Sequence, residues 1–71
     1  MTFRQVVEIL LENGFIEARH GATSHRRFRA EIKGEVALVT VAYHRLSDEP
    51  APNTLQSIIR QSRLPKSAFR R

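Results

Sequence analysis

Three histidines and a short run of arginines are the residues of this chain best suited to chemistry on a polyanion. His25 is followed by Arg27 and Arg29 at intervals of two, whereas His20 and His44 stand apart. Histidine transfers protons near neutral pH, and the planar fork of arginine holds two phosphoryl oxygens. Cleavage of RNA without a metal needs both abilities, because a base deprotonates the 2′-hydroxyl, an acid protonates the leaving 5′-oxygen, and cations stabilise the phosphorane charge.

The overall charge also indicates a polyanionic partner. The 71 residues include 12 Lys and Arg against 7 Asp and Glu, which gives a net charge of +5. In so short a chain this balance favours binding to nucleic acid, although basic residues can also serve solubility alone. The segment from residue 60 onward has no acidic residue and five basic ones: Arg60, Arg63, Lys66, Arg70 and Arg71.

Several classes of site are excluded or disfavoured by composition. Cysteine is absent, which excludes disulfides, zinc–thiolate sites and a thiol nucleophile. The histidine spacings match no usual metal-ligand pattern, so we predict neither a metal nor a cofactor. No long apolar run or signal peptide is evident, and we expect a cytoplasmic protein without a membrane span. The length allows one domain, with a shallow active site open to a large substrate.

Helical periodicity predicts a helix near each end of the chain. The first runs from about residue 2 to 13, with Thr2 as its N-cap and Asn13-Gly14 as its stop. The second begins at residues 52–54, where Asn53 or Thr54 is expected to cap it, and ends before Pro65. We expect residues 65–71 to be a flexible basic tail.

Three strands are predicted between the helices. Residues 15–20 form a short candidate strand. From His25 the chain alternates, which places Phe28 and Ile32 toward the core and His25, Arg27 and Arg29 toward solvent. Lys33-Gly34 links this strand to Glu35–Ala42 as a hairpin. The β-branched residues of the third strand favour a central, well-buried position.

The predicted fold is therefore α+β, in the order helix–strand–strand–strand–helix. Both helices have an apolar stripe, and a three-stranded antiparallel sheet has one apolar face to receive them. The opposite face, with His25, Arg27 and Arg29, would remain open to solvent. This arrangement resembles the double-stranded-RNA-binding domain.

Three stretches of the sequence carry a resemblance to a known family. Residues 11–15 (LENGF), with Leu10 before them, end the first helix like the family's L-x-x-x-G-F. Ser24-His25 followed by Phe28 is like G-S-H-x-x-[YF], and residues 53–64 are like G-T-L-r-x-I-l-r-q-a-g-L. Over about residues 3 to 64 the chain resembles HicA toxins, the RNA-cleaving halves of bacterial and archaeal toxin–antitoxin pairs. It departs from the pattern at Thr23 and Asn53, where the family usually has Gly, and at Tyr43, where it often has Pro.

The resemblance implies a single domain over residues 1–64 that cleaves mRNA with His25 as its catalytic histidine. It also gives Ser24 a supporting role, so the predicted RNA-binding set is Ser24, Arg27, Arg29 and Lys33. A HicB-like antitoxin is the implied protein partner.

Alternatives from other classes remain open at this point. A non-catalytic RNA-binding module would share the fold and the charge but would not need a histidine at position 25. A small structural protein would show no salt-dependent RNA affinity. The second proton carrier could be His20, His44 or water, and the chain could be a homodimer or a hetero-oligomer with the antitoxin.

Overall fold

A computed structural model describes residues 1–18 and 25–70 of the chain. Its elements confirm the predicted α-β-β-β-α order. They are helix α1 (Phe3–Glu12), strands β1 (Ile16–Ala18), β2 (His25–Ile32) and β3 (Glu35–Ala42), helix α2 (Pro52–Ser62), and a 3₁₀ helix (Lys66–Phe69).

Helix α1 begins and ends where its sequence predicts. The hydroxyl of Thr2 accepts a bond from the Gln5 backbone N–H, and the Gln5 side chain accepts one from the Thr2 N–H, which completes a capping box. The next two amides, those of Phe3 and Arg4, donate to loop carbonyls at Asp48 and at residue 46. The start of α1 is thus fixed to the segment that follows β3.

The three strands form one antiparallel sheet in the order β1-β2-β3. Strand β2 is therefore central, and the prediction that β3 is the central strand is wrong. Each strand pairs with its neighbour in sequence, which places the middle strand of the chain in the middle of the sheet. The β2–β3 turn at Lys33 and Gly34 has positive φ at both residues, 53° and 82°, as in the type I′ turns that suit tight hairpins.

A single core lies on one face of the sheet. Helices α1 and α2 both contribute buried side chains to it, and so do alternate residues of β2 and β3. The two helices therefore cover the same face, as predicted. The buried apolar residues are Phe3, Val6, Ile9, Leu10, Phe15, Phe28, Ala30, Ala37, Val39, Val41, Ile58 and Phe69.

Helix α2 begins earlier than its polar residues suggest. Ala51 is the N-cap and makes no side-chain capping bond, so the prediction that Asn53 or Thr54 caps the helix is wrong. Pro52 occupies the first turn, where its fixed φ favours the helix and its missing N–H costs nothing. The helix ends at Arg63, which adopts a left-handed conformation with φ of 60°.

The segment after α2 differs from the flexible tail expected from residue 65. Lys66–Phe69 forms a 3₁₀ helix, and the Phe69 ring is 6% exposed within the core cluster. Burial of one large aromatic side chain favours an ordered segment even though its neighbours are polar. The prediction of a flexible tail is therefore wrong for these residues. Within the described residues, no helix has the length and apolar character needed to cross a membrane.

Candidate nucleic-acid interface

The open face of the sheet carries the predicted site residues in three rows across the strands. Directly opposed residues of antiparallel strands project their side chains from the same face. The rows are His25 with Ala42; Arg27 with Ala18 and Thr40; and Arg29 with Ile16 and Leu38. Successive rows are about 7 Å apart along the strand. The pairing therefore brings His25, Arg27 and Arg29 together in one line on central strand β2.

Within the described residues, the cross-strand neighbours of His25 and Arg27 have small side chains. Ala42 lies opposite His25, and Ala18 and Thr40 lie on either side of Arg27. We call these five residues the His25 half of the face. His25 and Arg27 are both exposed, and their described cross-strand neighbours have short side chains.

The arginines of β2 divide into two kinds. Arg27 and Arg29 are exposed and make no ion pair within the described part of the chain. Because their charges are not neutralised there, both are available to phosphate groups. Arg26, which lies between His25 and Arg27 in sequence, projects from the opposite face, where it contacts other residues of the fold.

Arg26 contacts two residues of its own face. Its Nη1 lies 3.1 Å from Oε2 of Glu17, and its guanidinium carbon lies 5.7 Å from the centre of the Tyr43 ring. The hydrogen bond to Glu17, followed by the electrostatic effect of Tyr43, raises the pKa of the Arg26 guanidinium above its ordinary value. Tyr43 also packs on Phe3 of α1, with ring centres 5.5 Å apart. Arg26 therefore has a structural role.

Aliphatic side chains flank Arg29 across the strands, which the sequence patterns did not reveal. Along β2 its neighbours on this face are charged: Arg27 on one side and, on the other, the exposed Glu31, which lies opposite Val36. Ile16 and Leu38, on either side of Arg29, are 73% and 60% exposed, and Val36 in the neighbouring row is 47% exposed. We call Ile16, Arg29, Val36 and Leu38 the apolar half of the face. Alternation within Glu35–Ala42 assigns Val36 and Leu38 to the face opposite Ala37 and Val39, and this signal could have identified them.

The two other predicted residues that the structure describes, His44 and Lys33, lie at opposite ends of the sheet. His44 is exposed and follows β3 two residues after Ala42, the partner of His25, so both histidines lie at the same end of the sheet. Lys33 lies in the β2–β3 turn at the other end, roughly 25 Å along the strand from His25. Ser24, His20 and Thr23 lie outside the described residues.

The open face has the form of a surface rather than a cleft. No enclosed pocket is found in the described structure, and residues 1–18 and 25–70 contain no cluster of three His, Asp or Glu side chains able to hold a metal ion. Among the described residues, the open face presents His25, Arg27 and Arg29 on a surface without an enclosing pocket.

Comparison with known proteins identifies the family. A family model described as "HicA toxin of bacterial toxin-antitoxin" matches residues 3–64. The chain belongs to the HicA toxin family. Searches of curated proteins and of solved structures found no match. Membership of the HicA family confirms the resemblance and makes the chain a toxin of a toxin–antitoxin pair, which implies an antitoxin as its partner.

Proposed function

We propose that this HicA-family toxin is a metal-independent endoribonuclease that cleaves mRNA in the cytoplasm, with His25 as its catalytic residue. The observation that carries the proposal is the row structure of the open face. His25 and Arg27 project side by side from the central strand, about 7 Å apart, among alanine and threonine neighbours. A proton carrier and a phosphate-binding cation are thus both accessible to an RNA strand.

The reaction that fits these groups is attack of a ribose 2′-oxygen on the adjacent phosphorus. The new bond is O2′–P, the bond that breaks is P–O5′, and the products are a 2′,3′-cyclic phosphate and a 5′-hydroxyl. The proton of the 2′-hydroxyl passes to a base, and the 5′-oxygen receives one from an acid. His25 carries one of these proton transfers, and Arg27 stabilises the charge that develops on the phosphoryl oxygens.

The second proton carrier is proposed to be His44, His20 or water. His44 is supported by its place at the same end of the sheet as His25. Arg29 and Lys33, which lie farther along β2 and in its turn, serve as RNA contacts away from the reacting phosphate, and Ser24 is proposed as a further contact. A HicB-like antitoxin would neutralise the toxin by bringing acidic groups to Arg27 and covering His25.

The proposal is tested by induced expression of the wild type and His25→Ala in a bacterial host. We expect growth arrest with the wild type alone at equal protein levels. Purified wild-type protein should cut RNA in the presence of a chelator and leave a 2′,3′-cyclic phosphate. It should not cut at a 2′-deoxy position, because the attacking hydroxyl is missing there.

Measurements of RNA affinity distinguish this nuclease proposal from the alternative that the protein only binds RNA. His25→Ala should keep its affinity for an RNA oligonucleotide within about twofold while cleavage is lost. His44→Ala, at the same end of the sheet, is the matched variant: a comparable loss of cleavage would assign His44 to the second proton transfer, and full activity would leave His20 or water, which His20→Ala would then distinguish. Equal cleavage by His25→Ala and the wild type would remove His25 from the mechanism.

A further inference from the structure

The apolar half of the open face has a composition that RNA binding does not explain. Ile16, Leu38 and Val36 are three of the four exposed large hydrophobic residues in the described chain. The fourth, Leu11, belongs to α1, which packs on the opposite face of the sheet. Exposed apolar side chains that are contiguous rather than scattered mark interaction surfaces.

The arrangement around Arg29 defines what the surface can bind. Ile16 lies on one side of Arg29 and Leu38 on the other, in a single row across all three strands. Arg29 makes no ion pair within the described part of the chain. A complementary ligand therefore offers apolar contacts on both sides of one carboxylate, which is a property of a protein segment.

Two other occupants fit this row less well. RNA accounts for Arg29, whose guanidinium can bind a phosphate or stack on a base, but it does not account for Ile16 and Leu38, which have no plane on which a base could stack. A second copy of this chain, docked face to face, would bring Arg27 and Arg29 of both copies into one interface, where the two Glu31 carboxylates would balance only part of their charge. Like charges buried together oppose such contact.

We propose that the apolar half is the principal docking surface of the antitoxin, which inserts an acidic side chain at Arg29 between apolar contacts to Ile16 and Leu38. The proposal rests on the proposed function for the role of the neighbouring His25 half. Affinity for the antitoxin then comes mainly from one half of the face, and cleavage of RNA comes from the other. Neutralisation follows because the docked protein covers Arg27 in the adjacent row and His25 in the row beyond it.

This division predicts a toxin that cleaves RNA but escapes neutralisation. Ile16→Ser and Leu38→Ser remove apolar contact without changing charge, so the electrostatic attraction to RNA is preserved. Leu11→Ser is the matched control, because Leu11 is 51% exposed but lies on α1. Binding is measured with a purified HicB-type cognate antitoxin and, separately, with a fluorescent single-stranded RNA oligonucleotide, all in a His25→Ala background that prevents cleavage.

We expect Leu38→Ser and Ile16→Ser to weaken antitoxin binding by at least about 30-fold, as for residues at an interface centre. RNA affinity should change by less than about twofold, and Leu11→Ser should change neither. Unchanged antitoxin affinity in both variants would overturn the proposal. So would a parallel loss of RNA affinity, which would assign the surface to RNA, or a wild-type dimer that the serine variants dissociate, which would assign it to a second copy.

Cleavage is assayed independently with His25 intact. Ile16→Ser and Leu38→Ser should then cut RNA at the wild-type rate and resist added antitoxin. If the wild type itself fails to cut RNA, the proposed function fails, but the antitoxin affinities in the His25→Ala background still decide whether the apolar half is the docking surface.

Discussion

The side-chain oxygen of Gln61 accepts a hydrogen bond of 3.0 Å from the backbone N–H of Thr40. Gln61 lies near the end of α2, and Thr40 lies on edge strand β3, directly opposite Arg27. The nitrogen of the same side chain donates to the Ser57 hydroxyl at 2.9 Å, which fixes the orientation of the amide. A helix side chain thus pairs with an edge backbone group that the sheet leaves available.

Removing this side chain should weaken the attachment of β3. Gln61→Ala leaves the Thr40 N–H without its protein partner, and we expect a loss of about 0.5–1 kcal/mol in the free energy of unfolding. Denaturant unfolding measures the loss, and hydrogen exchange of the Thr40 amide should accelerate. Gln56→Ala, an exposed position on the same helix, is the control and should change neither. Unaltered exchange at Thr40 in Gln61→Ala would contradict the assigned role.

Substitutions of the adjacent residues Arg26 and Arg27 should affect different properties: thermal stability for Arg26 and RNA binding for Arg27. Arg27→Ala removes an exposed cation, so the dependence of log affinity for RNA on log salt should become shallower by about one, and cleavage should fall. Arg26→Ala removes the contacts to Glu17 and Tyr43, so it should lower the melting temperature slightly and leave the salt dependence unchanged. If Arg26→Ala instead made the salt dependence shallower, and Arg27→Ala lowered only the melting temperature, Arg26 would be the phosphate contact.

Substitution of Lys33 tests both the turn and the predicted RNA contact. Asn favours the left-handed conformation that Lys33 adopts before Gly34, and Asn-Gly is a preferred sequence for this turn. Lys33→Asn should raise the free energy of unfolding by about 0.5 kcal/mol. It should weaken RNA binding without lowering the cleavage rate at saturating RNA, because the turn lies far from His25. Full RNA affinity in Lys33→Asn would remove Lys33 from the binding surface.

Phe69 should be as necessary to the fold as residues within the helices and strands. Phe69→Ala removes a ring that is 6% exposed, and truncation of a buried Phe costs about 3–5 kcal/mol. That loss is comparable to the whole stability expected of a domain this small, so the variant should be largely unfolded by circular dichroism. Arg70→Ala, at the adjacent exposed position, should melt like the wild type. A folded, cooperative Phe69→Ala would show that the 3₁₀ helix contributes little.

Elements specified by local interactions could be predicted from the sequence. Thr2 and Gln5 form a capping box within one helical turn, and the alternation in β2 extends over eight residues, so both signals are strong. The placement of His25, Arg27 and Arg29 on one open face follows directly from that alternation.

Features that depend on distant neighbours could not be predicted in the same way. The β-branched residues of β3 indicate a strand but not its position in a sheet, and two of its exposed residues, Val36 and Leu38, are apolar. Strand β1 has three residues, too few to show which face Ile16 occupies. Phe69 is a single aromatic residue among polar ones, and its burial depends on packing against elements far away in sequence.

The contacts of α1 have a consequence for the order in which the fold is completed. Its first turn is bonded to carbonyls at residues 46 and 48, and its apolar stripe shares a core with Phe69. During translation α1 is synthesised before the groups that hold it in place. The β2–β3 hairpin can form earlier from neighbouring residues, because local pairing is fast. We therefore expect the contacts that dock α1 on the sheet to form after those of the β2–β3 hairpin.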